Sequence, residues 1–279
     1  MKITTLTDNR AQSNKLETEH GLSLYIETDC GQKILYDTGQ SDLFMRNAKK
    51  LGVELKNVDK VVISHAHYDH VGGLLAFLKI NKTAKVYMNA TLFDYEYFSL
   101  KSGVKKLNGF PTELLEYRDR FVLIDKNTSV DNLWMITDIK HTYKMPKGNS
   151  ILYRQRQGVE EIDKFEHELI LVVDTAKGLC VFTGCAHNGV LNIATTVLSV
   201  IPSKKTHCLY GGFHLIDGKE YVEVETTEEL TEIANELTKL LPKAHFYTGH
   251  CTGEKAIEVL SEKMEGKLES FYVGMEIAI

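Results

Sequence analysis

Six consecutive residues, His65-Ala66-His67-Tyr68-Asp69-His70, put three imidazoles and a carboxylate into one short stretch. An apolar run, Val61-Val62-Ile63, precedes them, and Val71-Gly72-Gly73-Leu74-Leu75 opens a helix-like segment after them. At the end of a buried strand, each such group left without a partner costs about 1–3 kcal/mol. A metal ion removes that cost by using the lone pairs. Nitrogen and carboxylate donors suit zinc, with iron and manganese as alternatives. Four donors this crowded cannot all close on one tetrahedron, so the run predicts two divalent ions about 3.5–4 Å apart. His65 and His67 then serve one ion, and Asp69 and His70 its neighbour. Gly72-Gly73 lets the backbone turn tightly and enter the following helix without a Cβ clash.

The elements that must position this loop follow from the surrounding pattern. Gly21–Thr28 and Lys33–Asp37 alternate or run apolar around the turn Cys30-Gly31-Gln32 and predict a hairpin. Asp42–Leu51 has helical spacing, and Val58–Ser64 is the strand that delivers the loop. In the second half, Glu168–Asp174 and Gly178–Thr183 flank a turn. Helices are expected over Val190–Val200, Glu228–Leu241 and Glu254–Met264. A strand, then a polar loop with a histidine, then further chain recurs there at Gly184-Cys185-Ala186-His187-Asn188-Gly189, Gly211-Gly212-Phe213-His214 and Thr248-Gly249-His250-Cys251. In α/β architectures ligands collect beyond the carboxyl ends of strands. His187 and His250 are therefore the expected distant partners of the first loop. Residues 91–148, aromatic and basic with no clean period, read either as a lid-like insertion or as an ordinary outer layer.

Composition narrows the class. The chain has 279 residues with 43% hydrophobic and 25% charged, enough for a large globular α/β core, and a net charge of −5. That acidity argues against a general nucleic-acid binder. No apolar run has the length of a membrane span, and the N-terminal residues turn polar too soon for a signal peptide. A cytoplasmic location is the expectation. Five scattered cysteines with no CxxC pair do not suggest a disulfide framework.

HAHYDH followed by strand-end histidines at 187 and 250 resembles the metallo-β-lactamase superfamily, over essentially the whole chain. GCAHNG, GGFHL and TGHCTG resemble its dihydropterin-ribofuranosylaminobenzene-phosphate synthase-like members. The resemblance implies an αββα sandwich, two mixed sheets face to face with helices outside, forming a single domain over residues 1–279. It implies that His187 completes the first metal's ligands, that Asp37 orients the metal loop from outside, and that Cys185 stands where many relatives have a metal-bridging aspartate. Cys185 is thus either a thiolate ligand or a buried thiol beside the site. His141, the nearest candidate for a further superfamily histidine, lacks the glycine setting. With His20, His167, His207 and His245 it is expected to be structural, although His20 faces the site at long range in this reading.

The function these features imply is hydrolysis of a small molecule by hydroxide bound between two metal ions, with Asp69 orienting the nucleophile. His214 is expected to contact substrate or act as the acid. Lys101, Lys105, Lys106, Arg118 or Lys144 would clamp a phosphate, and aromatic residues between Phe93 and Trp134 would stack a flat ring. A phosphoester or phosphodiester is the first expectation for the substrate. An acyl substrate such as a lactone or thioester is the alternative, and a metal-dependent ligand sensor or di-iron redox protein is the non-hydrolytic one.

Overall fold

In the computed structural model, which describes residues 1–218 and 222–279, the apolar strands assemble into two seven-stranded mixed sheets and one smaller sheet. The first sheet has the order β18 (Glu276–Ala278), β1 (Lys2–Thr7), β2 (Ser23–Glu27), β3 (Lys33–Tyr36), β4 (Lys60–Val62), β5 (Lys85–Asn89), β8 (Phe121–Ile124). The second has the order β17 (Leu268–Ser270), β16 (His245–Thr248), β15 (Thr206–Tyr210), β14 (Gly178–Phe182), β13 (Ile170–Thr175), β10 (Leu133–Ile136), β9 (Thr128–Val130). Each begins as an antiparallel hairpin layer and continues as parallel strands, β3-β4-β5-β8 and β14-β15-β16-β17. The parallel strands carry the functional loops because all their carboxyl ends lie at one rim.

The two sheets face each other across one core. Ile3, Leu24, Ile26 and Tyr36 from the first pack with Met135, Leu171, Phe182 and Tyr210 from the second. The outer faces are covered by helices. α1 (Leu43–Lys50) and α3 (Leu74–Ile80) lie on the first sheet, and α4 (Val190–Val200), α5 (Thr227–Leu240) and α6 (Glu254–Lys263) on the second. A four-residue helix, α2 (Tyr68–Val71), precedes α3. This is the αββα sandwich of the sequence reading. The hairpin β2–β3 has its expected register, Leu24 opposite Tyr36 and Ile26 opposite Ile34.

Of the two readings of residues 91–148, the strand arrangement follows the outer layer for most of the segment: β8 extends the first sheet and β9 and β10 extend the second. Only β6 (Glu96–Lys101) and β7 (Val104–Leu107) leave the sandwich, and they pair with β11 (Leu152–Arg156) and β12 (Val159–Ile162) in a third sheet ordered β12-β11-β6-β7. Strand partners about fifty residues apart leave no local periodicity to read. Gly72 and Gly73 have ordinary helical backbone, φ −63° and −80°, and leave the room for the helix entry that was expected of them. Their role is close approach. A Cβ on Gly72 would lie 2.4 Å from the Gln40 carbonyl oxygen, and one on Gly73 2.3 Å from that of Thr38. The metal loop is thereby pressed against the chain that follows β3.

Candidate metal centre

Asp37, at the end of β3, organises the loop from beneath. Its carboxylate accepts from the Ser64 amide at 2.7 Å and the Ser64 hydroxyl at 2.6 Å, and from His70 Nδ1 at 2.7 Å, all fully buried. Because the Ser64 hydroxyl spends its proton on Asp37, its oxygen accepts from His65 Nδ1 at 2.8 Å. Both imidazoles are thus fixed as Nδ1–H tautomers with the Nε2 lone pair turned inward.

The same device recurs in the second half. Asn149 Nδ2 donates to the His187 carbonyl at 2.7 Å, which fixes its amide, and its Oδ1 then accepts from His187 Nδ1 at 2.9 Å. Asn9 Nδ2 donates to the His250 carbonyl at 3.0 Å, and its Oδ1 accepts from His250 Nδ1 at 3.2 Å. Four histidines therefore present four inward Nε2 lone pairs.

Two of those lone pairs have no partner among the described residues, and the other two face each other. His65 Nε2 and His187 Nε2 are buried and unpartnered among the described residues. His70 Nε2 and His250 Nε2 stand 3.0 Å apart, with Cys185 Sγ 3.1 Å from His70 Nε2. Two lone pairs facing at that distance repel unless a proton or a cation lies between them. Donor atoms of Asp69, His70, Cys185 and His250 fall within 4.8 Å of one another, as do those of His65, Cys185 and His187. The residues fit two ions, with Cys185 common to both sets. The His67 ring lies 4.7 Å from that of His65 and 4.8 Å from that of His187, which puts it beside the second set. Zinc suits this mixture of imidazole, thiol and carboxylate.

Electrostatics agree with ligand duty. Burial first, and the neighbouring imidazoles second, push His65 and His187 well down and His67 to about 3, so all three are neutral and ready to donate. Burial works against the charged form of Asp69, but His70, His20 and His250 around it outweigh that and hold its carboxyl well below the usual range. Burial also opposes protonation of His250, yet the contact with Asp69, at 3.2 Å, raises it to about 9. Without metal a proton bridges this pair.

A pH dependence of the metal-free protein follows. His250 titrates near 6.5 when unfolded and near 9 when folded, so its contribution is complete below pH 6.5 and is lost as pH rises to 9. The depressed His65, His67 and His187 have the opposite sign: their contribution is present above pH 6.5 and is lost as pH falls below it. Urea midpoints of the apoprotein are expected to peak near pH 6.5. Loading with zinc should remove the alkaline fall, because a ligating His250 is already neutral. An alkaline slope that persists with metal bound would contradict the assignment of His250. Asp37→Asn is a second test. Its amide must present N–H to at least one of three donors, so the apoprotein should lose about 2–3 kcal/mol in urea unfolding. Metal affinity should fall about 10–100-fold.

Backbone geometry marks the same residues. Asp37, Ala186, His214 and His250 all adopt left-handed φ, between 51° and 58°. Non-glycine residues there cost about 1 kcal/mol or more each, a cost the sandwich bears at the rim where the histidines converge.

A cavity of about 380 Å³ opens above the centre. His214 lines it with its ring 4.1 Å from that of His187 and both ring nitrogens unpartnered among the described residues, a position suited to substrate contact. Of the five cations considered as phosphate clamps, only Lys101 lines this cavity. Lys105 lies over the Phe98 ring and pairs with Glu160. Lys144 is exposed and lines a different cavity, beside residues of α5, and not the one above the centre. The aromatic residues also move. Phe93 and Phe110 pack in the core beneath the first sheet, and Trp134 packs under the helices of the second. The ring on the cavity wall is Tyr68, inside the metal loop itself, with Lys106 5.5 Å above its centroid.

Two histidines expected to be structural join the site. His20 places Nε2 3.2 Å from Asp69 Oδ2 at the cavity wall. His167 accepts from the Ala66 amide through Nδ1 at 3.1 Å and donates through Nε2 to Asp163 at 3.0 Å, propping the metal loop from the side. With both nitrogens used, the His67–Asp163–His167 group is a support and not a further ion site. Glu168 carries the opposite loop, accepting from the amides of His187 and Asn188. Arg10, also on the wall, was not anticipated. It is held by Asp8, which in turn accepts from the His250 amide. His167 has neither a glycine nor a strand-end setting, so only the fold reveals it, whereas His20 precedes Gly21 and lies closer to the centre than the long range expected. His141 bonds to Asn188 at the surface, and His207 and His245 sit at strand starts, away from the centre.

Residues 17–149 match the model of the metallo-β-lactamase superfamily, and the fold is similar to that of its members. Members of the superfamily typically bind metal ions, and its chemistry is mostly metal-dependent hydrolysis. The chain is 29% identical to a 7,8-dihydropterin-6-methyl-4-(β-D-ribofuranosyl)-aminobenzene-5′-phosphate synthase of Methanocaldococcus jannaschii, over 98% of this chain and 95% of that protein. It also matches the crystal structure of a metal-dependent hydrolase of the β-lactamase superfamily with a TM-score of 0.82 and 29% identity, over 100% of this chain and 99% of the other. Zn(2+)-bound PqqB from Methylobacterium extorquens shares the fold at a TM-score of 0.57 and 11% identity, each chain covered in full. Among the described residues no helix is long and apolar enough to cross a membrane.

Proposed function

We propose that the protein is a dinuclear, zinc-dependent hydrolase of small phosphoesters or phosphodiesters. The observation that carries the reading is the pair of donor sets that share Cys185 and converge at the floor of the cavity. Two divalent ions bound there supply Lewis acidity and bring the pKa of a water to about 7. The chain does the rest. Asp69, kept anionic by three histidines, accepts a hydrogen bond from the attacking water and fixes its approach. His214, on the other side of the cavity, is placed to protonate a departing alkoxide. Lys101 and Arg10 give the walls positive charge for a phosphate, and Tyr68 offers a ring face for a flat substituent.

The phosphate preference draws support from the synthase relative, whose named product carries a 5′-phosphate. That relative also carries a second reading, in which the same cavity joins a pterin-bearing group to a phosphorylated aminobenzene. Hydrolysis of bis(p-nitrophenyl) phosphate by zinc-reconstituted protein tests the first. Lys101→Ala is expected to raise KM about tenfold with kcat little changed. No turnover with two zinc ions bound would reject the phosphoesterase reading.

A further inference from the structure

A second cavity, about 280 Å³, lies behind the centre and shares no lining residue with the first. Its floor is apolar: Val190 from α4, Phe213 and Leu215 from the His214 loop, Ile233 from α5, and Pro146. Its rim is acidic. Glu225, Glu229, Glu232 and Glu236 face it against Lys144 and Lys147. Lys147 is already committed to Glu223 and Glu229. Glu225 is the informative residue. It is only 8% exposed, one oxygen accepts from the Lys147 amide at 2.7 Å, and the other is buried with no partner among the described residues.

A buried carboxylate oxygen without a donor is costly, and a cavity of apolar floor with a surplus of carboxylates offers a natural remedy. We propose that this cavity is a binding site for an amphipathic organic cation, an ammonium or guanidinium group on an aliphatic or aromatic body. The body lies on Phe213, Leu215 and Ile233, and the cationic head donates to the free oxygen of Glu225, with Glu232 supplying further charge. A neutral alcohol gives Glu225 a hydrogen bond without opposing its charge, and an anion meets the wrong sign. The site is independent of the proposed catalysis. It touches the segments that carry His187 and His214 from behind, through Gly189 and Phe213, so occupancy is legible at both.

The test is titration of the zinc-loaded, 15N-labelled protein with 2-phenylethylamine and with its neutral isostere 2-phenylethanol, followed by amide chemical shifts. The amine is expected to saturate, with the largest shifts at Gly189, Leu215 and Ile233, and to bind at least tenfold more tightly than the alcohol. Glu225→Gln, which keeps the bond to the Lys147 amide, should erase that preference. Ile233→Trp should fill the cavity and abolish binding of both, and it decides the matter if the Glu225 variant does not fold. Equal affinity for amine and alcohol, shifts confined to the metal cavity, or no saturable binding would overturn the proposal.

Discussion

Asp69→Asn protein is expected to fold normally, to bind one metal equivalent instead of two, and to lose turnover by a factor on the order of 10³. The prediction is large because Asp69 is a donor in one set and also the group on which His20, His70 and His250 converge. Replacing its carboxylate by an amide removes a charge while preserving volume. Packing is untouched, and the loss falls on the ion and on the water that Asp69 orients. Metal analysis and kinetics on the same preparation check both halves. Retention of two equivalents with full turnover would remove Asp69 from the centre. Two equivalents with lost turnover would leave it only the orienting role.

Cys185→Ser should have the second largest effect, because Sγ belongs to both donor sets. Burial pushes the Cys185 thiol well up, so in the metal-free protein it holds its proton. Ligation requires the thiolate, and metal uptake must release that proton. Parent protein titrated with zinc in weak buffer is therefore expected to acidify the solution by about one proton more than Cys185→Ser, and the variant should lose at least one metal equivalent. Cys251→Ser is the companion variant, since Cys251 forms a further possible donor group with Cys185 and His214 and its sulfur contacts the Cys185 carbonyl at 3.6 Å; metal uptake that falls there as well would place Cys251 in the centre. Unchanged uptake and proton release in Cys185→Ser would make that thiol a bystander.

Much of the centre was legible before folding because its ligands have local signatures. HAHYDH is contiguous, and His187 and His250 each follow an apolar strand and sit close to glycine. The parts that were not legible depend on tertiary contact alone. The direct contact of His20 with Asp69, beyond the long-range approach expected of it, arises because Gly21 runs beside the metal loop, the Leu22 amide donating to the Asp69 carbonyl at 3.1 Å. His167 supports Ala66 across 101 residues of chain. The third sheet escaped for a related reason: Val104-Lys105-Lys106-Leu107 and Val159-Glu160-Glu161-Ile162 are exposed edge strands with no apolar alternation to distinguish them from loops.

X-ray absorption at the zinc edge of the fully loaded protein tests the shared-thiolate centre most directly. The account predicts a sulfur scatterer at about 2.3 Å among nitrogen and oxygen donors at about 2.0–2.1 Å, and a zinc–zinc vector at about 3.5–4 Å. A shell of nitrogen and oxygen alone, with no metal–metal contribution, would contradict it.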